Sequence, residues 1–560
     1  MMTIDIESTG LNRFKDEIIL IGVEREDKKQ KIYTPDKFYQ FVGEAKEWKA
    51  SGEHFNWQNG KFDTLFIDHK LKVRLPINDD TLLLGTAYAL ADEHNLKKMA
   101  MNYLGVPNWE IGTAKKKNPN SPELIPYLRK DLRYTRELRD YFYDEMTPEQ
   151  MKIYRELLRP AYRAYRTIES HGIFLDQNGL DAVAARYKIE AERLLKRLKA
   201  EYDINWNAPG QVADILYNKL GLPVLKRTEK GAPSATAPIL RRFATSENIG
   251  SSLCALLLEY KDYYGAISKF FGAWKDYSKT DGRIHPHFNL TNVVTGRTSC
   301  SDPNLQQVPR RKELRTLFVA PKGRVLIEAD YSQLELRIAA DYANERTMIK
   351  IYNSTDGDIH METGRIITGR KEITKEERSR AKPVNFGFLY GMGYKGFVDY
   401  ALNSYGVKVT ESEAKKFREL YFLKYPRLLK WHEEQEELCK QQGGVYTRFG
   451  RFRALPDIYS KDHKLQSGAK RRAINTPVQS TGSDLILLSV TELEKPLKEL
   501  DAFVVVTVHD SILVEAPEKN VEAVVRLIKA VMENPKGLQT FGVTFRVPII
   551  ADIKVGPWGC

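Results

Sequence analysis

Residues Arg378-Ser379-Arg380-Ala381-Lys382-Pro383-Val384-Asn385-Phe386-Gly387-Phe388-Leu389-Tyr390 carry Arg378, Lys382, Phe386 and Tyr390 at a strict four-residue interval. Positions four apart share one face of an α-helix. That face presents two cations and then two aromatic rings along the axis. Cations suit the phosphates of a nucleotide, and a base stacked on a ring gains about 1–3 kcal/mol. The same spacing also fits a solvated basic turn running into an apolar core turn. The segments that could stand opposite the face decide between the two.

Two such segments exist. Val325-Leu326-Ile327-Glu328-Ala329-Asp330 reads as a buried strand that delivers Asp330 where a helix begins. Phe503-Val504-Val505-Val506-Thr507-Val508 is a second strand. It runs into His509-Asp510-Ser511 and then Ile512-Leu513-Val514, the pattern of a hairpin with Asp510 at its tip. A lone strand-end Asp commonly caps a turn. Two of them beside a cation–aromatic helix suit a pair of Mg²⁺ ions, which about 3.5–4 Å apart stabilise both attacking and leaving oxygens of a phosphoryl transfer.

With these residues in place the chain resembles the family A DNA polymerases of the bacterial DNA polymerase I type. Asp330-Tyr331-Ser332-Gln333-Leu334-Glu335-Leu336-Arg337 is similar to its motif A, Arg378 to Gly391 to motif B, and Val508-His509-Asp510 to motif C. Thr295-Gly296-Arg297, Asp302 to Pro309 and Asn475-Thr476-Pro477-Val478-Gln479 resemble its primer–template segments. Asn207 to Gln211 and Gly231 to Ser234 resemble its thumb. The resemblance implies metal ligation by Asp330, Asp510 and the Tyr331 carbonyl, and a wall on the sugar's 2′ side from Glu335. It implies nucleotide contacts from Arg378, Lys382, Phe386, Tyr390, Gln333 and His360, with Lys382 also catalytic. DNA contacts are implied for Arg297, Asn304, Gln307, Arg471, Asn475, Gln479 and His509.

A second site opens the chain. Ile4-Asp5-Ile6-Glu7 alternates like a strand, so both carboxylates share a face. Gln58 to Asp63 supplies another Asp, and Tyr127 and Asp131 lie four apart on a helical pattern. Four carboxylates with a neighbouring Tyr suit a two-metal hydrolytic site. These segments resemble the family's 3′–5′ proofreading exonuclease. Asp5, Glu7, Asp63 and Asp131 match its metal ligands, two divalent ions being implied there, and Tyr127 the residue that positions the attacking water. Relatives commonly carry a 5′ nuclease ahead of this unit, and its absence here is an expectation.

Composition agrees. A chain of 560 residues holds several domains, and a net charge of +13 with pI ≈ 9.1 favours a polyanionic partner. Cys254, Cys300, Cys439 and Cys560 lack paired metal spacing and read as reduced thiols. No apolar signal region opens the chain, and no apolar run approaches a bilayer span of ~20 residues, so membrane and secretion are excluded and the cytoplasm is expected.

The resulting expectation is an α/β multidomain protein, a ribonuclease H-like exonuclease joined to a right-hand polymerase. Residues 1–148 form the exonuclease, 149–292 the thumb with the start of the palm, 293–343 the palm with motif A, 344–446 the fingers with motif B, and 447–560 a return to palm strands. Leu180, Val183, Ala184, Tyr187, Ala191, Leu194 and Leu198 mark a helix stripe flanking duplex DNA. Residues 112–122 read as a polar loop. Gly391-Met392-Gly393-Tyr394-Lys395-Gly396 satisfies G-x-G-x-x-G literally but lacks the βαβ context of a dinucleotide site, so its glycines end the preceding helix. Pro383 predicts a kink beside Lys382. Ser511 stands where relatives usually carry Glu, which removes a third carboxylate.

Template-directed DNA synthesis from dNTPs is therefore expected, with 3′–5′ proofreading and strand displacement, by a monomer that binds primer–template DNA and a single-stranded 3′ end and works with possible processivity factors. A single-subunit RNA polymerase and a catalytically silent nucleic-acid clamp are the alternatives.

Overall fold

The computed structural model describes residues 1–90, 92–355 and 357–559; Cys560 lies outside them. The chain opens on β1 (Met2–Ser8), whose Ile4 and Ile6 point into the core while Asp5 and Glu7 share the other face. β2 (Ile18–Arg25), β3 (Gln30–Tyr33), β4 (Phe55–Trp57) and β5 (Asp79–Asp80) complete a mixed sheet in the order β3-β2-β1-β4-β5. The first three strands are antiparallel and β1, β4 and β5 parallel. Around this sheet pack α1 (Gly60–Leu71), α2 (Leu96–Leu104) and the amphipathic α3 (Leu124–Glu145). Residues 112–122, expected to be loop, contain one helical turn at Thr113–Lys116.

α4 (Arg159–His171) joins this unit to the rest. Its Tyr162 hydroxyl donates to Asn59 Oδ1 at 2.9 Å, its Tyr165 hydroxyl lies 3.0 Å from Thr507 Oγ1, and its Thr167 hydroxyl donates to Glu494 Oε1 at 2.6 Å. Its Glu169 pairs with Lys61 of α1, each side chain 1% exposed, and the same ammonium donates to the Phe288 carbonyl.

Beyond it, α5 (Gln177–Glu201) carries the expected stripe, with Leu180, Tyr187, Ala191, Leu194 and Leu198 buried. With α6 (Ala237–Ala244) and α7 (Ser251–Ala266) it closes a core of its own around Leu194, Trp206, Leu240 and Leu257. β6 (Arg324–Tyr331) then runs into α8 (Leu334–Ala343), the turn made by Gln333 at φ +53°. α9 (Ile359–Thr368), α10 (Lys375–Leu389) and α11 (Tyr394–Tyr405) follow.

Residues 447–560 depart from the strand-rich expectation. Their largest element is α12 (His463–Glu499), 37 residues, most of it buried from Thr476 onward. A helix apolar on several faces has no period-2 signature and reads poorly from sequence. Strands return as β7 (Phe503–Val508), β8 (Ser511–Pro517) and β9 (Ala551–Val555), which make with β6 an antiparallel sheet ordered β7-β8-β6-β9. The whole has the expected right-hand arrangement beside a ribonuclease H-like unit.

α6 and the turn after it meet α11 and the segment that follows it. Arg241 of α6 donates to the Asn403 carbonyl at 3.1 Å, Arg242 pairs with Asp399 at 3.4 Å, and Lys408 donates to the Thr245 carbonyl at 3.0 Å. No helix among the described residues is long and apolar enough to cross a membrane.

Candidate active sites

The sheet register places the first carboxylate pair. Asp330 ends β6 opposite Ser511 on one side and Asp552 on the other. The Tyr331 amide donates to the Asp510 carbonyl at 3.0 Å, which fixes the hairpin tip against β6. The tip turns because His509 adopts φ +53°. Asp330 and Asp510 make no ion pair among the described residues. Loss of surrounding water, then repulsion from Asp510 and Glu328, raises the Asp330 carboxyl to about 6, with Arg310 opposing and Asp552 adding to the rise. Burial also raises Asp510, against Arg297 and His509. Two carboxylates that repel each other and make no ion pair among the described residues fit a hard divalent ion. The Tyr331 hydroxyl is committed to Ser489 and to the Met532 carbonyl, so only its backbone is free to ligate.

α10 places the cation–ring face as the spacing demands. Thr374 caps it in a reciprocal box with Glu377, and Arg378, Lys382, Phe386 and Tyr390 are all half-buried, while Ala381, Val384, Asn385 and Phe388 are buried behind them. The helix continues through Pro383 without interruption. Gly391 ends it at φ +67°, and Gly393 caps α11, so the G-x-G-x-x-G match is a helix–turn–helix junction.

Glu335 connects the two sets. Its carboxylate accepts from Arg297 and from the Tyr390 hydroxyl. It is 8% exposed, and burial raises it to about 7 although Arg297 pulls the other way.

The other residues expected to contact nucleotide or DNA have these surroundings within the chain. Arg378 pairs with Asp358 at 2.6 Å. His360 is 4% exposed and stands behind the face, its Nδ1 3.0 Å from Asn385 Nδ2. Burial and Arg378 lower it to about 4, so it is a neutral imidazole. Gln333 accepts from the Tyr352 hydroxyl at 3.1 Å. Asn304 caps the short helix that contains Gln307, accepting from the Gln306 amide at 3.0 Å, whereas Gln307 is exposed. Arg471, Asn475 and Gln479 fall four apart on α12, with Arg471 exposed and the other two half-buried. His509 is exposed beside Asp510.

In the amino-terminal unit, carboxylate oxygens of Asp5, Glu7 and Asp131 all lie within 4.8 Å of one another. Burial raises Asp5 to about 8 and Glu7 to about 9, and each is also raised by its acidic neighbours. Asp63 is apart from this trio. It is buried on the first turn of α1 and accepts from the Ile6 amide at 3.1 Å, its carboxyl raised by burial and by Asp5. Tyr127 and Asp131 share a face of α3, as their spacing requires. Such a set of crowded carboxylates fits divalent cations.

The sequence reading missed three neighbours. Lys97 donates to the Tyr127 hydroxyl at 2.6 Å and to both Asp131 oxygens at 2.8 and 2.6 Å. Trp109 donates to Asp131 at 2.5 Å. Asp552 lies on the last strand beside Asp330. Lys97 left one signal, a basic residue in the first turn of a helix, where the macrodipole disfavours it.

An antiparallel sheet with strand-end carboxylates stands beside a helix of cations and rings, and a second carboxylate set lies in the amino-terminal unit. Residues 178–559 match DNA polymerase family A, and residues 1–147 match the family described as 3'-5' exonuclease. The chain belongs to DNA polymerase family A. It is 33% identical over 419 residues to DNA polymerase I of Caldicellulosiruptor bescii, covering 72% of this chain and 47% of that protein. It is 33% identical over 419 residues to the thermostable DNA polymerase I of Thermus aquaticus (72% and 48%), and 30% identical over 508 residues to DNA polymerase I of Pseudomonas aeruginosa (85% and 53%). The chain spans about half the length of these relatives. In fold it is similar to the POL domain of Pol1 from M. smegmatis, solved in complex with DNA primer-template and dNTP. The TM-score is 0.84 at 22% identity, over 100% of this chain and 95% of that one.

Proposed function

We propose that the chain extends a DNA primer along a template from dNTPs and removes nucleotides from a 3′ end at its amino-terminal site. The observation that supports the first activity is Glu335, whose carboxylate accepts from Tyr390 on the cation–ring face and from Arg297 while lying in the repulsive field of Asp510 at the hairpin tip. In synthesis the primer 3′ oxygen bonds to the α-phosphorus of the incoming nucleotide, and the bond to the β-phosphate breaks to release pyrophosphate. Asp330, Asp510 and the Tyr331 carbonyl would hold two Mg²⁺ ions, which supply charge for both oxygens of the transfer. Lys382 makes no ion pair among the described residues and would take the phosphates. Arg378 reaches them by leaving Asp358. Phe386 lies by sugar and base, Tyr390 near the templating position, and Glu335 closes the space at C2′. His360 acts through Asn385 rather than on the nucleotide. Arg297, Gln307, Arg471, Asn475, Gln479 and His509 would line the duplex, where checking pair shape needs no sequence reading.

In hydrolysis a water oxygen bonds to the terminal phosphorus, and the bond to the preceding 3′ oxygen breaks. Asp5, Glu7, Asp63 and Asp131 would hold two divalent ions, and Tyr127 would orient the water. Residues 1–148 form this unit, 149–292 the thumb, 344–446 the fingers, and 293–343 with 447–560 the palm. The basic surplus would let a cytoplasmic monomer hold a displaced strand ionically.

One assay tests the reading: a labelled primer on a template with Mg²⁺, run with and without dNTPs. Extension with dNTPs and shortening without them are expected. No extension, or preference for rNTPs, would overturn it.

A further inference from the structure

Lys97 lies in the first turn of α2, and Asn95 caps that helix at the Lys98 amide. A cation there opposes the positive end of the helix dipole, so helix stability does not account for it. Its ammonium reaches inward, 14% exposed, over the Tyr127 ring at 4.3 Å, and bonds the Tyr127 hydroxyl and both Asp131 oxygens. The other nearby ammonium, Lys116, lies 4.9 Å from the Tyr127 ring and is paired with Glu110. Lys97 is thus the one cation among the described residues bonded to the trio of Asp5, Glu7 and Asp131, through Asp131, and none is bonded to the neighbouring Asp63.

Charge balance gives this arrangement a meaning. Two divalent cations would cancel the four carboxylates and leave no charge to meet the negative phosphodiester of a bound strand. One ammonium supplies the balance. We propose that Lys97 is the substrate-phosphate ligand of the hydrolytic site: it rests on Asp131 and the Tyr127 hydroxyl, and turns to a non-bridging oxygen of the scissile phosphate when divalent ions take over Asp131. In its resting position the ammonium lies over both the Tyr127 and Trp109 rings, 5.2 Å from the latter, and the flexible four-carbon stem lets the head turn from there. The inference rests on the exonuclease reading above.

The test uses the full chain carrying Asp330→Asn and Asp510→Asn, so that divalent binding reports the amino-terminal site. Lys97→Met and Lys97→Arg are compared with that parent in two measurements: Mn²⁺ binding without DNA, by electron paramagnetic resonance, and single-turnover removal of the 3′ nucleotide from a single-stranded oligonucleotide. Lys97→Met is expected to bind Mn²⁺ several-fold more tightly, because a competing cation has left Asp131. It should nevertheless cleave on the order of 100-fold more slowly, the cost of losing one charge-stabilising donor. Lys97→Arg should recover most of the rate. Cleavage by Lys97→Met at the parent rate would overturn the proposal. So would a fall in Mn²⁺ binding parallel to the fall in rate, which would make the lysine a strut for the ligands. Failure of the exonuclease reading shows differently: the parent itself would not cleave, or Asp5→Ala would leave cleavage intact.

Discussion

Glu335 is buried between an arginine, a tyrosine hydroxyl and the field of Asp510. Its ordinary value of 4.5 rises to about 7 in the fold. A carboxyl raised by folding contributes fully below its unfolded value, and that contribution is lost as pH rises through the folded one. Charging Glu335 in place therefore costs about 3 kcal/mol above pH 7, most of it gained between pH 5 and pH 8. Glu335→Gln should gain thermal stability relative to the parent on going from pH 5 to pH 8, measured in chelator, and a pH-independent difference would contradict the burial argument. Shortening it to Ala should separately raise ribonucleotide incorporation; unchanged discrimination between dNTP and rNTP would remove it from the sugar wall. The placement of Asp330 and Asp510 was legible because a strand-end carboxylate follows from period-2 alternation and a turn. The partnership of Arg297 with Glu335 was not. Nothing in the spacing of residues 38 apart records that they meet, so an arginine read as a duplex contact is found paired with the Glu335 carboxylate.

At the level of elements, α10 was legible from its four-residue interval, and its network was not. Asn385 accepts from the Thr363 hydroxyl at 2.9 Å and donates to the Ala381 carbonyl at 3.1 Å, so α9 and α10 are fastened behind the face. Pro383 removes one backbone bond in that helix, leaving the Ser379 carbonyl without its partner four residues on. Ser379 is exposed, so its carbonyl lies at the solvent-facing side of the helix, where the lost bond costs least. Pro383→Ala restores the bond at the expense of a stiffer unfolded chain, and should stabilise the protein by about 1–2 kcal/mol in denaturant unfolding. A loss of stability would mean that packing of the buried ring outweighs the missing bond. α12 shows the opposite limit. Its length and its apolar residues on several faces blur both periodicities, so a segment expected to be strands is mainly helix.

Across the whole molecule, the two carboxylate sets lie in different units, yet α4 binds those units together. Separate chemistry with shared support has a testable signature. Asp330→Asn or Asp510→Asn should abolish extension and leave degradation, whereas Asp5→Ala with Glu7→Ala should do the reverse, since no ligand is common to both sites. Lys61 belongs to the support. It pairs with Glu169 where both are buried, and the Glu169 carboxyl is held down to about 2 by Lys61 and His287 against the pull of burial. Removing one partner of such a pair strands the other charge, at a cost of about 3–5 kcal/mol, while replacing both by apolar groups costs far less. Lys61→Met should therefore lower the melting temperature and weaken extension and degradation together near the transition, and Lys61→Met with Glu169→Met should restore much of both. If Lys61→Met impaired degradation alone at full stability, the lysine would belong to the hydrolytic site that begins two residues away at Asp63, and the joint between the two units would have to rest on Tyr162, Tyr165 and Thr167 instead.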